Sequence, residues 1–452
     1  MSQESLISFE KTDRLDLKQF CERLESYLLV EHDYVEGGLV VALNAGFGAG
    51  KTTFVRMWEN DLRSRREKGQ FVPMPLVLNA WESDYCGEPL LAILANLIEA
   101  IDAWNGEVKE DEKSALKEAA KDVAWFTLGL GNGVAAKFTG VDAVKAGDFA
   151  EGKKTARKSK RPDFIELYHQ RADALKILKE KLAAAFGGES PKIFVFIDEL
   201  DRCRPDYAVS YLETIKHVFD VRGMVFVLAI DYEHLANTAK SLFGQDLNFP
   251  EYFRKFCHRV IALPRPDENG LTRLTVDYVK KYLEIADKRI CGINLQDRSA
   301  KFSDLAMGLA MTPRQLQEAF RIMGHASSMS DPEKRGKIYW CIAAMTILLV
   351  FLKVNRESIY LALKNETMPF DDVGKLLIST AGKDNAEWWF SIYLTALGIK
   401  LSDNQLIVTT LTNLGFSISE DDLRQCAQGW GRFYVNTRLP EIFRRIDTAD
   451  TF

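Results

Sequence analysis

The chain has 452 residues, 47% of them apolar and 27% charged, and its 59 basic and 64 acidic residues give a formal net charge of −5. That length allows roughly two to three domains with well-formed cores, and the near balance of charge gives no global attraction to nucleic acid or anionic lipid. Seven scattered cysteines without a C-x-x-C pair argue against a disulfide framework or a zinc site and fit a reducing cytoplasm, and the N-terminal MSQESLISFEKTDRL has neither the basic nor the apolar region of a signal peptide.

Residues 1–38 are polar and charged. Phe20, Leu24, Tyr27 and Leu28 recur at spacings near 3.6, which predicts an amphipathic leader helix over about Leu15–Leu29. The next stretch, Leu39–Thr53 (LVVALNAGFGAGKTT), passes from an apolar run into small residues and then presents Lys51 and Thr52. It reads as a buried strand, a phosphate-binding loop and the start of a helix reaching about Arg65. Gly46, Gly48 and Gly50 lack the Cβ that blocks tight positive-φ turns, so successive backbone N–H groups can converge on phosphate oxygens. The cradle is expected to comprise Ala45, Gly46, Phe47, Gly48, Ala49, Gly50, Lys51, Thr52 and Thr53. Lys51 would reach the β- and γ-phosphates, and the Thr52 hydroxyl would join a Mg²⁺ shell, at a helix N-terminus whose dipole favours anions. Ala45 stands where the motif usually has glycine, a small residue that fits if its φ stays negative. Taken alone, the loop also reads as a Gly-rich turn without a ligand.

A second short strand, Leu76–Leu78, ends in Asn79, Ala80 and Trp81, and Gly87-Glu88-Pro89 then starts a strongly apolar helix. Residues 105–165 read as an insertion. A charged helix, Glu107–Lys121, runs into an apolar but Gly-rich segment broken by Asn132 and Lys137, too short for the about 20 apolar residues of a membrane span. The tract Lys153–Arg161 (KKTARKSKR) carries six positive charges in nine residues, either as a solvated loop or as a contact for nucleic acid or an acidic partner. A long helix over Asp163–Phe186 leads to Ile193–Ile197, an apolar run without alternation, as in a parallel strand covered on both faces. Pro205 opens another helix, Met224–Asp231 is a third buried strand, and Arg259–Pro264 is the last. Strands alternating with helices predict an α/β fold, a doubly wound parallel sheet with helices on both faces. After about Pro266 strands are expected to stop, leaving an all-α C-terminal region. Its Ile338–Leu352 run of 15 residues reads as a buried core helix rather than a membrane span.

Asp198 ends the Ile193–Ile197 strand, where a carboxylate beside the loop can hold Mg²⁺ directly or through water. Glu199 follows, aimed differently by the backbone, and is the natural group to polarise an attacking water. The alternative is a solvated acidic turn in which Asp201 and Arg202 pair at the surface.

The combination of AGFGAGKT, NAWE after the second strand, FIDELDRCRPD and VLAIDYEHL resembles the KAP family of P-loop NTPases over roughly residues 13–325. The resemblance implies a nucleoside-triphosphatase of the additional-strand, catalytic-glutamate class, related to the AAA+ and STAND switch ATPases. The chain departs from the family in two respects: the interval that often carries transmembrane helices holds only the Gly-rich segment and the basic tract, which implies a soluble member, and Glu199 stands where aspartate is usual. TPRQLQEAFR (Thr312–Arg321) resembles the helix that brings an arginine to the γ-phosphate, which makes Arg314 the candidate sensor; a local ion pair is the alternative. Asp231 would sense the γ-phosphate or cap the next helix. Trp81 would shape the cleft or sit in the core. Arg254 and Arg259 lie where a neighbouring subunit's phosphates could be met. The six histidines show no ligand spacing.

These readings converge on a Mg²⁺-dependent ATPase used as a conformational switch. Lys51, Glu199 and Arg314 would be its catalytic residues, Thr52 and Asp198 its metal ligands, and Asp231 a further nucleotide contact. The expected organisation is an α/β domain over 1–266, a helical lid or sensor domain over 267–355 and a helical partner-binding domain over 356–452. By analogy with relatives, it would regulate a protein effector in bacterial anti-phage defence, as a cytoplasmic protein, possible homo-oligomer and no membrane protein. The competing reading is a nucleotide-gated scaffold with little hydrolysis, possible nucleic-acid sensing included, motivated by Trp388, Trp389, Phe390 and the late GWGRFYVNTRLPEIFRRI as interface anchors. Kinase activity ranks third, since nothing resembles an acceptor pocket.

Overall fold

The computed structural model describes residues 7–104, 108–129, 164–188, 192–285, 288–291, 295–328, 336–431 and 435–451. The chain divides into two compact units: Met1–Asp13, Leu17–Gly46 and Lys51–Pro264 form one, and Arg14–Asp16, Phe47–Gly50 and Arg265–Phe452 form the other.

The first unit is built on β1 (Leu39–Asn44), β2 (Met74–Asn79), β3 (Ile193–Asp198), β4 (Met224–Ile230) and β5 (Arg259–Ala262). All pairings are parallel and the order is β2-β3-β4-β1-β5. β4 therefore lies between the loop-bearing β1 and the carboxylate-bearing β3, the additional strand that the resemblance implies. The period of two along β3 sorts its side chains between the two faces. Phe194 and Phe196 meet Trp58 of the helix Lys51–Glu67, with ring centroids 5.8 and 4.9 Å away. Ile193, Val195 and Ile197 enter a different cluster, with residues of the helices Pro89–Ala103, Glu110–Gly129, Phe164–Phe186 and Pro205–Val218. Helices thus cover both faces, which is why β3 and β4 are buried from end to end.

β2 and β5 are the edge strands. Pro75 is tolerated in β2 because Met74 donates its N–H to Lys192 on the β3 side, so the next nitrogen faces outward, where no ladder bond is lost. The leader helix spans Lys18–Glu31, and its buried Glu25 accepts from Trp58 Nε1 at 3.2 Å and from both terminal nitrogens of Arg65. The helix expected from Glu107 begins at Glu110 and continues to Gly129, through the start of the apolar segment. The basic tract Lys153–Arg161 lies outside the described residues.

The second unit is helical, with one correction to the expectation that strands stop. Lys288–Cys291 and Gly336–Tyr339 pair in parallel as β6 and β7. At four residues each they are too short for a period to show, and β7 takes up the beginning of the apolar run read as all helix. The remainder of that run is in the helix Trp340–Asn355, buried at every position from Cys341 to Leu352. A helix apolar all round has no solvent face and belongs in a core. One hydrophobic cluster, from Leu271 to Ile446, surrounds it and continues across position 355. Trp389, Phe390 and Trp430 are fully buried there, so they fill the core and are not surface anchors. Among the described residues no helix is long and apolar enough to cross a membrane.

Candidate phosphate-binding site

β1 delivers the loop. Ala45 N–H donates to Ile230 of β4 at 3.1 Å, extending the strand pairing by one residue, and Ala45 is not among the positive-φ residues, so its methyl group fits in the usual glycine's place. The three loop glycines are not equivalent. Gly48 and Gly50 have φ of +78° and +97°, whereas Gly46 has no positive φ and a Cβ there would meet nothing within 4 Å. At Gly48 a Cβ would come within 2.7 Å of Arg314 Cβ.

Lys51 begins the helix Lys51–Glu67, and its ammonium donates to the carbonyl oxygens of Ala45 at 2.7 Å and Gly46 at 3.4 Å. Its nearest carboxylate is Asp201, 3.8 Å away and, like Lys51, buried. This corrects the alternative in which Asp201 pairs with Arg202 at the surface. A single 3₁₀ turn over Leu200–Arg202 carries Asp201 back toward the lysine, where it also accepts from Asp231 N–H at 2.9 Å.

Asp198 ends β3 in register with Asn79 and Ala229. Burial pushes its carboxyl above the ordinary range and nearby Asp201 adds to this, while the Thr52 hydroxyl, the Glu199 N–H at 2.9 Å and Lys51 pull it back. Thr52 and Asp198 thus lie close enough to influence each other, one hydroxyl and one carboxylate, a donor set suited to a hard cation that keeps waters in its shell. Among the described residues no group of three or more His, Cys, Asp or Glu side chains forms a metal cluster, so the remaining ligands of such an ion would be phosphate oxygens and water.

Glu199 is left-handed, with φ 60° and ψ 22°, which turns its side chain away from the Asp198 direction. Arg202 reaches its carboxylate at 3.0 Å and Asn79 Nδ2 at 3.3 Å. Asn79 is itself fixed, because its Oδ1 caps the helix Ala80–Asp84 by accepting from Trp81 and Glu82 N–H. Trp81 is 52% exposed, which removes the core reading, and the Arg202 guanidinium lies 5.7 Å from its ring centroid. Sequence reasoning missed the partnership of Asn79 and Arg202 with Glu199 and that of Asp201 with Lys51. The shared register of Asn79 and Asp198 at strand ends was the available signal for the first.

The other candidates make local contacts. Asp231 caps the helix Tyr232–Phe243, accepting from His234 N–H at 3.2 Å. Arg259 pairs with Glu31 at 3.0 Å, and Arg254 is exposed. In the second unit, Thr312 and Gln315 cap the helix Pro313–Ser328 reciprocally, Gln315 Oε1 accepting from Thr312 N–H and Thr312 Oγ1 from Gln315 N–H. That fixes Arg314, whose N–H donates to the Gly48 carbonyl at 3.2 Å and whose guanidinium lies 4.7 Å from the Phe47 ring centroid.

The family model for the KAP family P-loop domain matches residues 19–327. No curated protein sequence matches the chain significantly. Among solved structures, the Aeropyrum pernix ORC2 protein in ADPNP–ADP complexes is 13% identical with a TM-score of 0.35, over 97% of this chain and 95% of that one. The Aeropyrum pernix ORC1 protein in complex with DNA is also 13% identical, with a TM-score of 0.33, over 88% and 84%. Likeness at those scores says nothing about activity.

Proposed function

Because the chain belongs to the KAP family of P-loop domains, we propose that it binds ATP with Mg²⁺ and hydrolyses it to switch between conformations. The observation that carries this reading is the convergence of Lys51, Thr52, Asp198 and Asp201 at one sheet edge, with Glu199 beside them and turned a different way. Lys51 would exchange its loop carbonyls for phosphate oxygens, a stronger charge-assisted contact. Thr52 and Asp198 would hold Mg²⁺, which supplies neutralisation of phosphate charge. Glu199 would take the proton of the attacking water, its carboxylate held in place by Asn79 and Arg202. Arg314, seated on Phe47 and Gly48, would report the state of the loop to the helix that carries it. The biological reading, regulation of a protein effector in bacterial anti-phage defence by a cytoplasmic protein, rests on family analogy alone.

The test is a pair of variants. Lys51→Ala should abolish ATP binding in calorimetry, whereas Glu199→Gln should bind normally and lose about 10²–10⁴-fold in turnover. Normal hydrolysis by the Glu199→Gln protein would sink the catalytic assignment. A second reading, a nucleotide-gated scaffold with little hydrolysis, is favoured by the engagement of Glu199 with Arg202. It predicts that wild-type turnover is already near the Glu199→Gln level.

A further inference from the structure

A pair of thiols lies in the second unit. Cys341 is in the first turn of the helix Trp340–Asn355, and Cys426 is in the last turn of the helix Glu420–Gln428. The Cys341 thiol donates to the Cys426 carbonyl oxygen at 3.1 Å, and the Cys341 N–H donates to the Gly429 carbonyl at 3.1 Å. Glycine at 429 permits this approach, since a Cβ there would come within 2.6 Å of Cys341 Sγ and 2.4 Å of the Trp340 indole. Both cysteines are free.

The two sulfurs differ in access. Cys341 is fully buried, whereas Cys426 retains 5% exposure and lines a cleft of about 510 Å³ together with Trp340, Trp388 and the carboxylates Asp384, Glu387 and Asp422. They also differ in charge preference. The Cys341 side chain pulls the Cys426 thiol below its ordinary value, while burial pushes the Cys21, Cys86, Cys203 and Cys257 thiols up. Oxidants attack thiolates in reach of solvent, and a nearby second thiol resolves the product.

We propose that Cys341 and Cys426 are a dithiol that hydroperoxides oxidise to an intramolecular disulfide joining these two helices. In the first step the Cys426 sulfur attacks the terminal peroxide oxygen. An S–O bond forms, the O–O bond breaks, and the leaving alkoxide or hydroxide takes up a proton to give an alcohol or water. The Cys341 sulfur then attacks Cys426: the S–S bond forms, the S–O bond breaks, and the departing hydroxide takes the Cys341 proton as water. Two thiols lose two electrons in all, and one peroxide is reduced.

The experiment treats the full chain with hydrogen peroxide, blocks residual thiols with N-ethylmaleimide and digests it without reductant. The expected result is a linked pair of peptides containing Cys341 and Cys426, two hydrogens lighter than their sum, separated by dithiothreitol and dominant over every other cysteine product. Recovery of both cysteines as alkylated thiols, or of Cys426 as sulfinic acid without the link, overturns the proposal. In a Cys341→Ser variant, Cys426 should stop at the sulfenic acid and take up dimedone. Dimedone on no cysteine, or on one other than Cys426, overturns the order of attack, and the wild-type measurement decides the link itself even where that variant folds poorly.

Discussion

At the residue scale, Asp198 combines burial with a proposed task, holding Mg²⁺, that would need its charge. Its pKa is raised, so the folded chain holds the proton more tightly than the unfolded chain does. That contribution favours folding at low pH and is lost as pH rises through the raised value. Metal binding has the opposite requirement, since only the carboxylate form is a ligand. Mg²⁺-dependent ATP affinity should therefore decline on acidification from a higher pH than the about 3.9 of an ordinary aspartate. Calorimetric titrations across pH check this, and Mg²⁺ dependence unchanged down to a pH of about 4 would refute it. Asp198→Asn should abolish that dependence without lowering the melting temperature of the nucleotide-free protein. Lys51, Thr52 and Asp198 were legible in the sequence because strand, loop and helix fix their placement. The partners of Asp201 and Arg202 were not legible, because the direction of Asp201 depends on one 3₁₀ turn and the partner of Arg202 lies three residues back, at Glu199.

At the scale of elements, buried parallel strands are legible because their composition differs from everything around them. All five expected strands form, with bounds moved by one or two residues at most ends. β6 and β7 were not legible, because their pairing joins residues 48 positions apart and no local pattern announces it. The loop glycines, equal in the motif, should separate on mutation. Gly48→Ala forces a Cβ into a left-handed backbone position and against Arg314, so it should cost at least about 1 kcal/mol. Gly46→Ala meets no atom and should stay within about 0.5 kcal/mol in the same denaturation series. Leu349 sits at 1% exposure inside the helix Trp340–Asn355, and Leu349→Ala should cost about 2–5 kcal/mol by cavity formation. Hydrogen exchange should show the amides of that helix losing protection in proportion.

At the scale of the molecule, each unit has its own core, and the sheet of the first has two ends. The family match was readable from motif order and the doubly wound sheet from strands alternating with helices, because a parallel strand needs a long crossover before its neighbour. What no motif reports is how the sheet stops. Each outermost strand presents one row of unpaired backbone groups, a template on which another extended chain can grow. β2 answers with Pro75, which removes one outward donor. β5 answers by being only four residues long and by carrying Arg259, tethered to Glu31, beside a half-exposed Val260. These features would act on self-association. Arg259→Val would lengthen the bare apolar edge, and light scattering at elevated concentration should show faster self-association, while ATP turnover per folded molecule stays the same. The arginine that the sequence offers as a finger for a neighbour's phosphates also stands, through its pairing with Glu31, on the outermost strand, where its charge would oppose the approach of another strand.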